Sequence, residues 1–500
     1  MTGLSPETTV LVIGAGIMGA GIAQVAAQAG HPVRLFDSRE TAAEGALEKL
    51  AATFDKLVAK GKFSDDEARA ILDRIVAIDS LDGGAEAGLA VEAVVEDLDI
   101  KRGLLRDLES IVAADCLLAT NTSSISVTAL ANGLQHPGRL VGMHFFNPVP
   151  LMKLVEVVSG LQTEVAAAET VFELAGRWGK TAVHARSTPG FIVNRIARPF
   201  YAETLALLQV RAATPEVLDA CLRGAGFRMG PCELMDLIGH DTNFAVTRSV
   251  YEANFQDKRY TPSLVQRELV DGGLLGRKSG RGFYSYDGDE ISPITDFPAT
   301  DSPPSTDGLA VRGRGPVAER MIATLKSHGC HFEQVPDSKW IGLQAGSARL
   351  RLTDGRCAAE HGRDVAVFDL PLGSEPGTAL AWAHSGRADA QWVEDAPRWL
   401  ALFGFNPQLI ADAPGLVVAR TVAMLINEAA DAVQQGVCSE QDADAAMKLG
   451  VNYPAGPFEW LDAWDAGAVI DLLERLDTCY RGERYRASPW LRQRAWNKTR

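Results

Sequence analysis

The strongest constraint on the fold is local. Val10-Leu11-Val12-Ile13 reads as a buried strand, Gly14-Ala15-Gly16-Ile17-Met18-Gly19 follows at once, an Ala-rich helix runs to about Ala29, and Val33–Asp37 reads as the next strand. A Gly-x-Gly-x-x-Gly run between strand and helix specifies a βαβ unit built to hold a dinucleotide. The first glycine permits the tight turn, the second lets backbone approach a pyrophosphate, and the third lets the helix pack close to the strand. The helix N-terminus then faces the anion. Asp37 closes the second strand, where a carboxylate accepts from ribose hydroxyls and repels a 2′-phosphate, so NAD is expected over NADP. Strands recur at Ile75–Asp79, Leu89–Val95, Cys116–Thr122 and Leu140–Phe146. The expected N-terminal domain, 1–186, is therefore a doubly wound α/β sheet.

Residues 41–72 read as two amphipathic helices joined near Gly61-Lys62-Phe63-Ser64-Asp65, with Ser64 or Asp65 as cap. The pair is longer than a simple crossover and is expected to project from the sheet. Lys49, Lys56, Lys60 and Lys62 on it read, by themselves, as a solvated face. Glu96 and Lys101 follow a strand end, where such sheets place their ligands. Asn121-Thr122-Ser123-Ser124 ends another strand and reads equally as a helix N-cap or a ligand contact. Further on, His144 lies in an apolar run, and Glu156 follows twelve residues later, beyond a Pro148-x-Pro150 corner. Two short strands joined by that corner bring the carboxylate to the imidazole. A carboxylate on one ring nitrogen fixes the tautomer and leaves the other nitrogen as a base; the alternative is an ordinary core histidine.

From Ser187 the pattern is helical: Phe191–Arg211, Pro215–Gly224, Phe244–Asn254 and Pro262–Asp271, with Gly230–Asp236 separating two helices. The C-terminus repeats it. Ala413–Arg420 matches Thr188–Arg195 at an offset of 225, Glu428 matches Glu203, Asp444 matches Asp219, and Gly456–Asp462 matches Gly230–Asp236. This is an internal duplication of a helical domain. Ala419 stands where the first copy has Asn194, and no second His–Glu pair or glycine loop precedes it, so the second copy is expected to be non-catalytic. The expected domains are 1–186, a first helical domain 187–287, a linker with a small α/β segment 288–408, and the second helical copy 409–500. Within the third, Asp287–Gly308 reads as a Pro-rich linker, 316–329 as a helix, 348–360 as a hairpin around Asp354-Gly355, and 365–372 as a strand. His328, Cys330, His331, Cys357 and His361 fit no standard zinc spacing, and no metal is expected.

A net charge of −15 and a pI near 5.2 argue against nucleic acid or an anionic membrane as main partner. No apolar run approaches the roughly 20 residues of a span. The first residues lack the features of an export signal. Seven scattered cysteines fit free thiols in a reducing cytoplasm.

Gly14–Gly19, Val91–Glu96, Asn121–Ser124, His144–Pro148 and Pro189–Arg195 occur in an order and at gaps that resemble the NAD-dependent L-3-hydroxyacyl-CoA dehydrogenases, over about the first 285 residues. The resemblance implies His144 as catalytic base, Glu156 as its partner, Ser123 as substrate contact and Asn194 beside the reacting carbon. For the cofactor it implies Gly14, Ala15, Gly16, Ile17, Met18, Gly19, Asp37, Glu96, Lys101, Ser123, Asn147 and Lys278. For coenzyme A it implies Thr53, Lys60, Lys101 and Ser123, which turns the bland lysine face into a phosphate site. An imidazole's ordinary pKa of about 6.5 suits proton removal from an alcohol near neutral pH. The resemblance further implies a soluble cytoplasmic enzyme, monomer or homodimer, acting on an acyl-CoA such as 3-hydroxyadipyl-CoA or 3-hydroxybutyryl-CoA in phenylacetate or fatty acid degradation. In two-domain members the helical domain makes the homodimer contact, and a fused copy would fill that surface from within one chain. The competing reading, an NAD-holding relative without turnover, sits poorly with intact Ser123, His144, Glu156 and Asn194.

Overall fold

The computed structural model describes residues 4–286, 294–298, 300, 302–305, 307–373 and 375–498. The chain forms two compact units: 1–195 with 432–451, and 196–431 with 452–500. Part of the expected linker (287–293, 299, 301 and 306) lies outside the described residues.

The first unit holds an eight-stranded sheet in the order β3-β2-β1-β4-β5-β6-β7-β8. The strands are β1 (Val10–Ile13), β2 (Val33–Phe36), β3 (Ile75–Ile78), β4 (Leu89–Glu92), β5 (Leu117–Thr120), β6 (Leu140–Phe145), β7 (Leu154–Ser159) and β8 (Thr181–Arg186). The first six run parallel; β7 turns antiparallel to β6, and β8 runs parallel to β7. β1, β4, β5 and β6 are buried throughout, as strands covered on both faces must be. The helix α1 (Ile17–Gln28) crosses from β1 to β2. The pair α2 (Ala42–Ala59) and α3 (Asp65–Leu72) forms as expected, and Ser64 and Glu67 close a reciprocal capping box on α3. The inner face of the pair packs on the sheet. Ala43, Ala46, Leu50, Phe54, Ala68 and Ile71 join the sheet's core, because the apolar face needs a partner that an isolated hairpin lacks.

The second unit contains a seven-stranded sheet in the order β10-β9-β11-β12-β13-β14-β15. Its strands are β9 (Leu309–Arg312), β10 (Glu333–Val335), β11 (Gly342–Ala345), β12 (Ala348–Leu352), β13 (Val365–Phe368), β14 (Thr378–His384) and β15 (Phe405–Leu409). Two sequence expectations are corrected here. The hairpin turns at Gly346-Ser347, where β11 meets β12, and not at Asp354-Gly355. A second glycine loop does exist. Gly313-Arg314-Gly315 links β9 to the helix Pro316–Ser327, which returns to β10, with φ of +84° and +97° at the two glycines. The Gly-x-Gly-x-x-Ala run follows a four-residue strand, Leu309–Arg312, that comes directly after the stretch read as linker.

The helical part also departs from the pattern. Phe191–Arg211 is two helices, Val193–Ile196 and Arg198–Gln209, and Gly230–Asp236 is no separator: Pro231–Ile238 is a helix. Proline is tolerated at its first turn, and the buried Asp219 carboxylate caps it from 13 residues away by accepting from the N–H groups of Cys232 (2.8 Å) and Glu233 (2.9 Å).

The duplication is written into the contacts. Glu203 accepts from Arg484 (2.8 Å) and Tyr485 (3.0 Å); Glu428 accepts from Arg259 (3.2 Å) and Tyr260 (2.5 Å). Each residue of one set lies 225 positions from its counterpart in the other, so residue i of one copy meets j of the second and j of the first meets i. That reciprocity defines an isologous interface, here closed inside one chain. The exchange extends to the sheets. The helix Pro215–Gly224 packs on β14, and its counterpart Glu440–Gly450 packs on β7. Arg186 N–H donates to Val437 O and Ala411 N–H to Ala212 O, both at 2.8 Å. Ala432–Val451 therefore belongs to the first unit, which cuts across the expected boundary at 409.

A chain ended at residue 286 loses the partners of Glu203, Arg259 and Tyr260. It is expected to self-associate, Glu203 of one copy against Arg259 and Tyr260 of the other. Sedimentation velocity checks this; a stable, soluble monomer rules it out.

Candidate active site

The loop after β1 has the three features a pyrophosphate cradle needs. Gly14 sits at φ +99°, and a Cβ there would lie 2.6 Å from Ala93 O. A Cβ on Gly19 would lie 1.7 Å from Gly14 O, so helix and turn touch backbone to backbone. Gly16 faces open space, and no side chain caps α1 behind it. The N–H groups of Ile17 and Met18 open that helix, and the Ile17 side chain is 77% exposed. Asp37 reaches back across the loop, accepting from Ala15 N–H at 2.8 Å and from the Arg39 guanidinium at 2.9 Å. The Arg39 hydrogen bonds hold its carboxyl well below the usual range. The residues present therefore fit a dinucleotide.

At the carboxyl end of β4 and β5 lies a polar knot. Glu96 Oε1 accepts from Thr122 Oγ1 (2.6 Å), Ser123 N–H (2.9 Å), Ser124 N–H (3.1 Å) and Ser124 Oγ (3.0 Å). Burial alone would raise its pKa, but these donors and the Lys101 charge outweigh that and lower it. The Asn121–Ser124 turn is thus fastened to an acid 25 or more residues earlier. Asn121 Oδ1 also accepts from Phe145 N–H at 2.9 Å, tying the turn to β6. Lys101 is a correction. It is 1% exposed, and its ammonium is engaged by Glu92 (2.8 Å), Glu96 (3.3 Å) and Val94 O (3.3 Å). An ammonium so enclosed positions Glu96 and has no face left for coenzyme A or NAD. Glu92, which also accepts from Thr120 Oγ1, was missed as a site residue. Its signal is an acid that closes an otherwise apolar, buried strand.

β6 and β7 pair in the register His144↔Glu156. The corner between them carries the Asn147–Pro148 cis peptide. Glu156 Oε2 lies 2.5 Å from His144 Nδ1, and Glu156 Oε1 accepts from the N–H groups of Ile192 and Val193, both at 3.0 Å. Glu156 is fully buried and His144 is 6% exposed. Phe146 packs 4.6 Å from the imidazole and Phe191 5.9 Å, centroid to centroid. Asn194 follows Val193, and its Nδ2 is 3.5 Å from Ser123 O. Ser123, His144, Glu156 and Asn194 are thus joined through one set of strand ends. Lys180, 9% exposed, holds the corner by donating to Val149 O (2.5 Å) and Met152 O (2.9 Å).

The other expected contacts are more scattered. Asn147 is exposed on the corner. Thr53 and Lys60 are exposed on α2, with Thr53 Oγ1 donating to Lys49 O at 2.8 Å. Lys278 belongs to the second unit, 2.5 Å from Asp241, whose carboxyl it holds below the usual range. Among the described residues no group of three or more His, Cys, Asp or Glu is placed to hold a metal, and no helix is long and apolar enough to cross a membrane.

In the second sheet the dyad is gone. Asp369, just after β13, accepts from Val417, Val418 and Ala419 N–H groups at 2.7–2.9 Å. These are the counterparts, 225 positions on, of Ile192, Val193 and Asn194. An acid caps this turn from the position that corresponds to His144, and Ala381 stands at the position that corresponds to Glu156.

A family profile described as "3-hydroxyacyl-CoA dehydrogenase, NAD binding domain" matches residues 9–188. The corresponding "C-terminal domain" matches twice, at 190–286 and 415–499, and a "3-hydroxybutyryl-CoA dehydrogenase reduced Rossmann-fold domain" matches 350–414. The chain is 43% identical to 3-hydroxyadipyl-CoA dehydrogenase of Escherichia coli K12 over 97% of both proteins. It is 40% identical to 3-hydroxybutyryl-CoA dehydrogenase of Clostridioides difficile, over 55% of this chain and 98% of that one. A crystal structure of 3-hydroxybutyryl-CoA dehydrogenase from Escherichia coli K12 superposes with a TM-score of 0.90 at 41% identity, covering 99% of each chain. With its glycine cradle, its buried His–Glu pair and its doubled helical domain, the chain belongs to the NAD-dependent 3-hydroxyacyl-CoA dehydrogenase family.

Proposed function

We propose that His144 is the general base that removes the hydroxyl proton of an L-3-hydroxyacyl-CoA as it is oxidised to the 3-oxoacyl-CoA. The observation that carries this is the 2.5 Å contact between His144 Nδ1 and a Glu156 carboxylate that is fully buried and anchored by two backbone N–H groups. A carboxylate fixed at Nδ1 directs the other nitrogen, Nε2, to accept the proton, and stabilises the imidazolium that forms. NAD, held at Gly14–Gly19 and Asp37, supplies the hydride acceptor when bound. Ser123 and Asn194 are the candidates to hydrogen-bond the substrate oxygen as charge develops on it. Glu96 fixes the turn that presents Ser123. Thr53 and Lys60, both exposed, are offered as coenzyme A contacts, and Asn147 as a cofactor contact.

For the acyl chain we favour 3-hydroxyadipyl-CoA. The support is the full-length identity with the Escherichia coli enzyme of that name; 3-hydroxybutyryl-CoA is the second reading, from the similarly named structure. The seven free cysteines suit a cytoplasmic enzyme.

The test is NADH formation at 340 nm from NAD and a panel of L-3-hydroxyacyl-CoAs. His144→Ala is expected to lower kcat by about 10²- to 10⁴-fold with the KM for NAD unchanged. Glu156→Gln, which keeps an acceptor for Ile192 and Val193 but loses the charge behind the imidazole, is expected to cost on the order of 10²-fold in kcat. A His144→Ala enzyme that keeps its turnover removes His144 as base. A panel in which the dicarboxylic ester is not preferred over 3-hydroxybutyryl-CoA removes the first substrate reading.

A further inference from the structure

The Glu156 strand is not walled by N-terminal residues alone. The helix Glu440–Gly450, in the segment 432–451 that comes from the second helical copy, also packs on it. Gly450 is buried at the end of the helix Glu440–Gly450. A Cβ on it would lie 2.7 Å from Leu154 Cδ2, 3.1 Å from Val193 Cγ2 and 3.7 Å from Phe146 Cε1. Each of these residues touches the dyad's frame. Leu154 stands two positions before Glu156, Val193 donates its N–H to Glu156, and Phe146 packs on the His144 ring. Gln435 Oε1 accepts from Arg195 Nη1 at 2.8 Å, and Gln435 O accepts from Arg186 Nη1 at 3.4 Å. Arg195 is 4% exposed and lies in the short helix Val193–Ile196 that carries Asn194. Val437 O receives the N–H at the end of β8.

We propose that the second helical copy is a working part of the active site: Gln435 and Gly450 are positioning residues that set the His144–Glu156 pair through Arg195, Val193 and Phe146. The copy that lost its own dyad thereby serves the one that remains. Glu156 has two jobs, and both depend on where the Val193–Ile196 turn stands. Gln435 holds that turn from outside, and Gly450 lets the helix come close enough to exclude water from behind it. A side chain at 450 would push Val193 away from Glu156 and Phe146 toward the imidazole.

The test uses the full chain. Gln435→Leu removes one acceptor from Arg195, Gln435→Glu keeps it, and Gly450→Val fills the close approach. Expected for Gln435→Leu and Gly450→Val is a fall in kcat of about tenfold and a displaced acidic limb of the kcat/KM–pH profile. The KM for NAD is expected to stay unchanged, and Gln435→Glu is expected to recover most of the loss. A profile and kcat equal to the parent in both variants overturns the proposal. So does a lowered melting temperature with an unmoved acidic limb, which is the mark of packing alone. The inference rests on His144 as base, and the failures are separable. If His144→Ala abolishes turnover while these variants do not touch it, the positioning role falls and the base stands.

Discussion

A single buried carboxylate ties the catalytic unit together. Glu156 has one oxygen on His144 and the other on the N–H groups of Ile192 and Val193. The first bond orients the imidazole. The second satisfies two backbone N–H groups at the start of the helix Val193–Ile196. An ionised carboxylate without solvent is tolerated only when its lone pairs are filled in this way. The antiparallel register of β6 and β7 is therefore fixed by chemistry as well as by pleat. A one-residue slip would turn Glu156 to the other face of the sheet and break both bonds at once.

The second half of the chain shows which of the two jobs is structural. Asp369 lies one position beyond β13, and its backbone N–H pairs with Ala381 O on β14. Its carboxylate takes Val417, Val418 and Ala419, so the turn is still capped. The requirement that buried N–H groups find an acceptor is met here by an aspartate standing where the first copy has His144. The glycine turn at Gly313–Gly315 likewise keeps its positive φ values.

Legibility in the sequence followed the range of the interaction. The Gly14–Gly19 turn, Asp37, the Ser64 cap and the His144–Glu156 approach rest on contacts along one strand, turn or hairpin, and all were readable. Pro231–Ile238 was misread because its cap, Asp219, belongs to another helix. Lys101 was misplaced because its burial against Glu92 depends on how a helix lies over the sheet, and a lysine after a strand looks the same either way. The return of Ala432–Val451 to the first unit left no local mark at all. What the sequence did hold was the offset of 225, and reciprocal contacts follow from a duplication once each copy packs on the other.

That reciprocity also explains why the second copy kept its helices while losing its dyad. An isologous interface uses the same patch twice, so Glu203 and Glu428, Arg259 and Arg484, Tyr260 and Tyr485 are constrained in pairs. Each charge is held from more than one side: Glu203 also pairs with Arg420 at 3.0 Å and Arg259 with Asp431 at 2.5 Å. At the offset of 225, Asp369 stands in the place of His144 and Ala381 in the place of Glu156, and Asp369 itself fills the N–H groups of the turn that carries Ala419. The helix Glu440–Gly450 lies between the two cases. It belongs to the second copy by sequence but packs on β7 of the first unit, so its residues are constrained by the strand that carries Glu156.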